Sequence, residues 1–284
     1  MKKVLMTWII SASNILVMLG QQSGISVMTY NIWYANPDAG ENIWENRREG
    51  VVQAILDQKT DIAGLQEVLY DQLTYLEEKL PDYAWVGAAR DDGKQKGEFA
   101  PVFFRKQRFE LLGSGNFWLS ETPDSAGTLG WDAACVRIVT WAKFRERNSS
   151  SEFVVFNTHF DHEGDTARLK SAYLIEEKIS AIAGDHPVIV TGDFNCKRDS
   201  EPYIVLTGES GKIKLNDSRY ASAFRTLRPD YSYIGSEFKG VPGEIIDHIF
   251  VSQAFGIISS KILENCNYGR CPSDHLPVIT IVKL

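Results

Sequence analysis

Four of the chain's five histidines stand inside short motifs that also carry a carboxylate or carboxamide. They occur in Asn157-Thr158-His159-Phe160-Asp161-His162, Ile246-Asp247-His248-Ile249 and Ser273-Asp274-His275. The fifth, His186, precedes Pro187 in a turn and reads as a solvated surface residue. Three further motifs supply polar groups: Tyr30-Asn31-Ile32, Leu65-Gln66-Glu67-Val68 and Gly192-Asp193-Phe194-Asn195. This set can drive water onto a phosphorus ester with the help of a cation. Glu67, Asn31 and Asp274 offer the oxygen ligands that Mg2+ or Mn2+ prefer. Such an ion neutralises phosphate oxygens and charge on the leaving group. Asp193 suits the role of general base for the attacking water. Asn195 can donate a hydrogen bond to that water or to a phosphoryl oxygen. His275, kept protonated by Asp247, can stabilise charge on phosphorus. The cysteine spacings do not match a zinc site.

These residues need a scaffold that projects strand ends into one cleft. Strand-like runs are predicted at Ile25–Asn31, Asp61–Gln66, Tyr83–Ala88, Phe99–Arg105, Gly115–Leu119 and Cys135–Phe144. They continue at Phe153–His159, Pro187–Gly192, Ile245–Val251, Ala254–Ile262 and Leu276–Leu284, with a polar turn at Asn148–Ser151. Helical periodicity covers Trp44–Gln58, Leu73–Leu80 and Thr166–Ala183. Many strands with few helices predict two sheets packed face to face and helices outside. A parallel barrel would need a helix after nearly every strand.

The 284 residues contain no linker or repeat, so residues 25–284 read as a single domain. A net charge of −7 and a pI near 5.4 disfavour long nucleic acid as a partner and leave small phosphorylated substrates open. Lys2 and Lys3 precede a mostly apolar stretch from Val4 to Leu19, which reads as a signal peptide over residues 1–20, cleaved near 20–24. Export to the periplasm or medium is expected, with no transmembrane span in the mature chain. A retained N-terminal anchor is the alternative. Cys266 and Cys271 flank a short loop and can close a small disulfide there, while Cys135 and Cys196 read as free thiols.

In order and wording these motifs resemble the endonuclease/exonuclease/phosphatase superfamily of divalent-metal phosphoesterases. The resemblance spans Asn31 to His275. It implies an α/β fold, a four-layered α/β/β/α sandwich of two packed, largely antiparallel mixed sheets. It also implies that Glu67 is the principal metal ligand. His159 would pair with Glu98 ahead of the following strand, and Arg137 would contact phosphate. Asp161, His162 and Arg168 are expected to line the site, and His248 to form part of its wall. Trp33 stands where abasic-site nucleases carry an acid, which argues against that branch. The expected protein is a monomeric, metal-dependent hydrolase of a phosphodiester or phosphomonoester. The alternatives are a nuclease or exonuclease on short nucleic acid and a non-catalytic binding module on the same fold.

Overall fold

The computed structural model describes residues 24–208, 212–225, 228–235, 244–266 and 271–284. The segment read as a signal peptide lies outside them. In chain order the described residues form β1 (Ile25–Asn31), α1 (Trp44–Asp57), β2 (Ile62–Gln66), α2 (Tyr70–Lys79), β3 (Tyr83–Val86) and β4 (Val102–Arg105). Next come β5 (Phe109–Trp118), β6 (Ile138–Glu146), β7 (Glu152–His159), α3 (Asp165–Ala183), β8 (Val188–Asp193) and α4 (Glu201–Leu206). The last are β9 (Leu215–Asp217), α5 (Ser218–Ala221), β10 (Asp247–Ser252), β11 (Gly256–Ile262) and β12 (Val278–Lys283). Among these residues no helix is long and apolar enough to cross a membrane.

The strands make two six-stranded sheets, ordered β11-β12-β1-β2-β4-β3 and β5-β6-β7-β8-β10-β9. Period-two alternation assigns each strand face to a layer. Val27, Ile62, Val155 and Ile189 point between the sheets, while Met28 and Leu65 meet α1 and α2. Val154, Phe156 and Val190 meet α3 and α4 on the other side. Both faces of the central strands are therefore buried, which explains why they read as continuous apolar runs. The four-layered α/β sandwich expected from the motifs is the fold observed.

Several boundaries move for local reasons. β5 starts at Phe109 instead of Gly115, and an irregularity between Leu111 and Gly113 breaks the alternation that would have marked it. β6 starts at Ile138 instead of Cys135, because the amides of Ala134 and Cys135 bond the Asp161 carboxylate rather than a neighbouring strand. α2 starts at Tyr70, where the Gln72 side chain accepts the Leu69 amide. β9, α4 and α5 were not expected; all are six residues or shorter, too short for periodicity to show.

Directly beneath the motif-bearing edge, a polar seam joins the two sheets. The Asn157 amide oxygen accepts from Gln66 at 2.7 Å and Thr191 at 2.9 Å. Its nitrogen donates to the carbonyls of Leu65 at 2.7 Å and Pro101 at 3.0 Å. Gly64 makes room for this seam: a Cβ there would lie 2.2 Å from Thr191 Oγ1 and 2.5 Å from Asn157 Oδ1. A buried network in which every polar atom of Asn157 is bonded fixes the relative position of the sheets more sharply than apolar packing.

Candidate active site

Strand register gathers the motifs at one edge of the sandwich. β1 and β2 run parallel with Asn31 opposite Gln66, which places Glu67 one residue beyond. β7 and β8 are also parallel, with His159 opposite Asp193. β10 is antiparallel to β8 with Asp247 opposite Asp193, so its first residue meets the end of β8. β12 is antiparallel to β1, which brings the preceding Ser273-Asp274-His275 turn to the same edge. Ser273 Oγ donates to the Asn31 carbonyl at 2.7 Å, and buried Arg47 donates to the carbonyls of Ile32 and Pro272, each at 2.7 Å. These bonds tie the first and last motifs together.

Asn31 lies at the centre. Its amide nitrogen is 2.9 Å from Glu67 Oε1, 3.0 Å from Asp193 Oδ2 and 3.5 Å from His275 Nε2. Its oxygen, expected to reach a cation, instead accepts the Trp33 amide at 3.0 Å. Asn31 thus positions two carboxylates as a donor. Glu67 and Asn195 adopt φ of 60° and 45°, left-handed values that cost a non-glycine residue about 1 kcal/mol or more. At Glu67 this turn aims the carboxylate back over the site, where Oε2 also accepts the Tyr34 amide at 3.1 Å.

His275 Nδ1 meets Asp247 Oδ2 at 2.8 Å, and its Nε2 faces Asp193 Oδ2 at 3.6 Å. Burial opposes its charge, but Asp247 and Asp193 outweigh burial and hold the imidazole pKa well above its ordinary value. Asp193 is pushed up to about 7, first by burial and then by Asp247, against the pull of His275, Asn31 and the Asn195 amide. Asn195 donates its backbone N–H to Asp193 Oδ1 at 3.0 Å. Its side chain bridges the Phe160 carbonyl at 3.0 Å and His159 Nε2 at 3.1 Å. Burial, with help from the charges of Arg137 and Arg90, keeps His159 well below its usual pKa and hence neutral.

A cavity of about 480 Å³ opens over this cluster. Of the residues predicted from sequence, Glu67, Glu98, Arg137, His159, His162, Asp193, Asn195, Asp274 and His275 line it. Asp247 stands behind His275 and Asn31 beneath Glu67. A separate cavity of about 510 Å³ beside α1 is lined by none of these polar residues and has no cluster of this kind.

Four expectations are corrected. Glu98 does not pair with His159; it accepts Arg90 Nη1 at 2.6 Å, and burial pushes its own pKa up to about 7. Asp161 does not line the cavity. Five N–H groups converge on it, from Ala134, Cys135, Glu163, Gly164 and Arg137 Nε, the last at 3.2 Å. Arg168 stands behind it, donating to the Asp161 carbonyl at 2.9 Å and to the Asp165 carboxylate. His248 is no wall residue: Nδ1 bonds Asp217 at 2.9 Å, Nε2 bonds the Cys196 carbonyl at 3.1 Å, and the ring packs against Phe194, Tyr203 and Phe250. Its position in β10 explains the error, since it alternates with Asp247 and so faces the opposite side of the sheet.

Tyr34, Arg90, Cys135, Tyr233 and Ile246 also line the cavity and were not picked out from sequence. Arg90 follows the Ala88-Ala89 pair in a turn and carries no motif. Tyr233 packs its ring 4.9 Å from that of His275 across an isolated bridge, a contact between distant segments that one sequence does not encode.

The donor set tests whether a divalent cation fits. Glu67 receives neutral N–H groups, and Asp274 Oδ1 lies 3.3 Å from the Ser273 hydroxyl, whose hydrogen goes to the nearer Asn31 carbonyl. Burial raises the Asp274 pKa, and the neighbouring Glu67 charge adds to it against the pull of His275. Two hard oxygen donors with mutually repelling charge at the mouth of a buried site fit Mg2+ or Mn2+ well. Asp193, Asp247 and His275 also bring ligand atoms within 4.8 Å of one another. There the protonated imidazole already supplies the positive charge.

Comparison with known proteins agrees with this geometry. The model of the Endonuclease/Exonuclease/phosphatase family matches residues 28–275. A solved endonuclease/exonuclease/phosphatase from Bacteroides vulgatus is 41% identical, with a TM-score of 0.87 over 93% of this chain and 100% of that one. A mannosyl-6-phosphatase from Bacteroides thetaiotaomicron is 34% identical, with a TM-score of 0.86 over 92% of this chain and 100% of that one. An uncharacterised protein of Acanthamoeba polyphaga mimivirus is 28% identical over 84% of this chain and 92% of its own length. The chain spans less than half the length of several other curated relatives it matches.

Proposed function

Because this chain belongs to the endonuclease/exonuclease/phosphatase family of hydrolases, we propose that it removes phosphate from a small, polyhydroxylated phosphomonoester of the sugar-phosphate kind, using Mg2+ or Mn2+. The observation that carries the reading is the Asp247–His275 pair set 3.6 Å from Asp193 on the floor of one cavity.

Glu67 and Asp274 would hold the cation, which supplies neutralising charge to the phosphate and leaving oxygen. Asp193, with its pKa near 7, is poised to take a proton from water near neutral pH. Asn31 and the Asn195 amide hold its two oxygens in fixed directions, so the base does not rotate. Asn195, whose amide nitrogen is taken up by His159 Nε2 and the Phe160 carbonyl, orients the attacking water through its amide oxygen. His275 donates from Nε2 to a phosphoryl oxygen, and the Asp247 carboxylate keeps that proton in place. These preset donors act where charge builds during attack.

The substrate class follows from the far wall. Arg90 is compensated by Glu98 at 2.6 Å, and Arg137 by Asp161 at 3.2 Å. The two guanidinium groups of the cavity, Arg90 and Arg137, are each already held by a carboxylate, so they do not form the row of uncompensated cations that a polyanionic strand needs. Such a wall offers hydrogen bonds to neutral hydroxyls, and a cavity of about 480 Å³ suits a compact ligand. The mannosyl-6-phosphatase resemblance supports the same class. Export is part of the proposal, supported by the basic and apolar N-terminal pattern and by the Cys266–Cys271 disulfide.

The test is release of phosphate from a panel of hexose phosphates, nucleotides and inositol phosphates, alongside p-nitrophenyl and bis-p-nitrophenyl phosphate, with Mg2+ or Mn2+. Preference for hexose phosphates, lost in Asp193→Ala and His275→Ala, is expected. Faster hydrolysis of the diester, or of short oligonucleotides run beside the panel, would replace this reading with a nuclease one.

A further inference from the structure

His248 is 1% exposed and lies outside the lining of the active-site cavity. Its ring sits in a box of Phe194, Tyr203 and Phe250, with centroids 5.9, 5.4 and 5.4 Å away. A phenyl ring would fill that box as well. What histidine adds there is two ring nitrogens.

The partners of those nitrogens assign their hydrogens. Nε2 stands 3.1 Å from the Cys196 carbonyl, which can only accept, so Nε2 carries a hydrogen. Nδ1 stands 2.9 Å from Asp217 Oδ2. The same carboxylate takes the Arg219 amide on Oδ1 at 2.9 Å and the Tyr203 hydroxyl on Oδ2 at 3.2 Å. Donors converging on both oxygens favour the ionised carboxylate, which leaves the hydrogen on Nδ1. Burial opposes charge on the ring, but the Asp217 bond and charge, the Cys196 carbonyl and Asp247 outweigh burial and raise its pKa.

A buried ion pair adds little stability over apolar packing, and its best-attested use is to select one arrangement. The arrangement at hand is the Asn195 turn. Asn195 holds φ at 45°, a value that a non-glycine residue keeps only where its surroundings impose it. On one side of it the Phe194 amide donates to the Ile246 carbonyl at 2.9 Å. On the other, the Cys196 carbonyl takes the hydrogen of His248 Nε2, and among the described residues no backbone N–H bonds that carbonyl. The start of β10 therefore grips Asn195 from both sides.

We infer that His248 is a positioning residue for hydrolysis. Protonated on both nitrogens and held by Asp217, it fixes the Cys196 carbonyl and so the turn through which Asn195 holds Asp193 and the attacking water. The kinetic consequence rests on the phosphoesterase reading; the protonation and the grip on the turn do not.

The test uses the purified full chain. The ¹⁵N shifts of His248, assigned by comparison with His248→Gln, are expected to report hydrogens on both ring nitrogens at neutral pH. His248→Phe fills the aromatic box and leaves Asp217 its other two donors, but gives nothing to Cys196. It is expected to lower kcat by about tenfold with little change in KM. Amide hydrogen exchange is expected to quicken at Asn195 while the strands of both sheets keep wild-type rates. His248→Gln, whose amide N–H reaches the place of Nε2, is expected to recover most of the lost kcat. His248→Asn reaches only Asp217 and is expected to recover none; it takes the place of His248→Phe should that variant not fold. A neutral ring or a bare Nε2 would overturn the proposal. So would an unchanged kcat without the Cys196 donor, a KM that rises as far as kcat falls, or a Gln variant no better than Asn. Asn195 exchange that quickens only with the whole fold would make His248 a core residue and nothing more. If the chain hydrolyses none of the esters tested, the ring shifts and exchange rates still decide the grip, and the activity reading alone fails.

Discussion

The His275 imidazole bonds the Asp247 carboxylate through Nδ1 at 2.8 Å and leaves Nε2 facing the substrate cavity. The two residues come from β10 and from the turn before β12, which lie in different sheets. Their contact therefore reports how well the sandwich is closed. Asp247→Asn keeps the shape and removes the charge that favours imidazolium. Steady-state kinetics are expected to show kcat lowered by roughly 10²-fold or more with KM affected less, as for loss of one preset transition-state donor. His275→Gln is expected to fall at least as far. A double variant no worse than the single ones would identify the pair as one unit.

Cation removal is expected to abolish hydrolysis and leave the fold intact. Glu67 and Asp274 gather negative charge at the cavity mouth, and the sandwich core does not depend on them. A chelator should lower the unfolding free energy only by the binding contribution, about 2.7 kcal/mol when the ion stood at a hundred times its Kd, with a matching drop in melting temperature. Calorimetric melts with and without Mg2+ or Mn2+ check this. Glu67→Gln is expected to remove most of the metal-dependent shift, and Asp274→Asn a part of it.

The polar seam makes a separate prediction about stability. Asn157→Ala removes four buried hydrogen bonds between the sheets, although Gln66, Thr191 and the Pro101 carbonyl each keep another partner. Urea unfolding is expected to show a loss of about 2–3 kcal/mol, in the range for lost buried hydrogen bonds. Gly64→Ala should also destabilise, because its Cβ would sit 2.2 Å from Thr191 Oγ1. Equal stability of either variant with wild type would mean that the seam does not hold the sheets.

What could be read from sequence divides along physical lines. Asn31, Glu67, His159 and Asp193 follow or close their strands, so apolar runs followed by polar residues announced both the element and the side chain's destination, whereas Asp247 opens β10. His248 was misplaced because adjacency in sequence means opposite faces in a strand. Asp161 and Arg168 belong to the right motif but are consumed in holding Arg137 and the start of α3. Arg90 and Tyr233 reach the cavity through loops whose paths depend on long-range packing, for which local pattern carries no signal. The disulfide joins Cys266 and Cys271, the pairing that the spacing suggested.

Asp161 offers the clearest dependence on pH. Burial by itself would raise its pKa, but the amides of Gly164, Ala134 and Glu163 and the Arg137 charge outweigh burial and hold it far below the ordinary carboxylate range. A carboxylate whose folded pKa is depressed adds stability that is fully present above its unfolded value, about 4. That stability is lost as pH falls from there toward the folded pKa, where the native state too takes up the proton. Unfolding free energies measured from pH 6 down to pH 2 are therefore expected to fall steeply below about pH 4 in the wild type. In Asp161→Asn the fall should be shallower and the neutral-pH stability lower. Because Arg137 Nη2 also meets His162 Nδ1 at 2.9 Å, the freed guanidinium would lose its aim, and KM for the phosphoester is expected to rise more than kcat falls. A variant with the wild-type acid limb would show that the five N–H groups around Asp161 do not stabilise its charge.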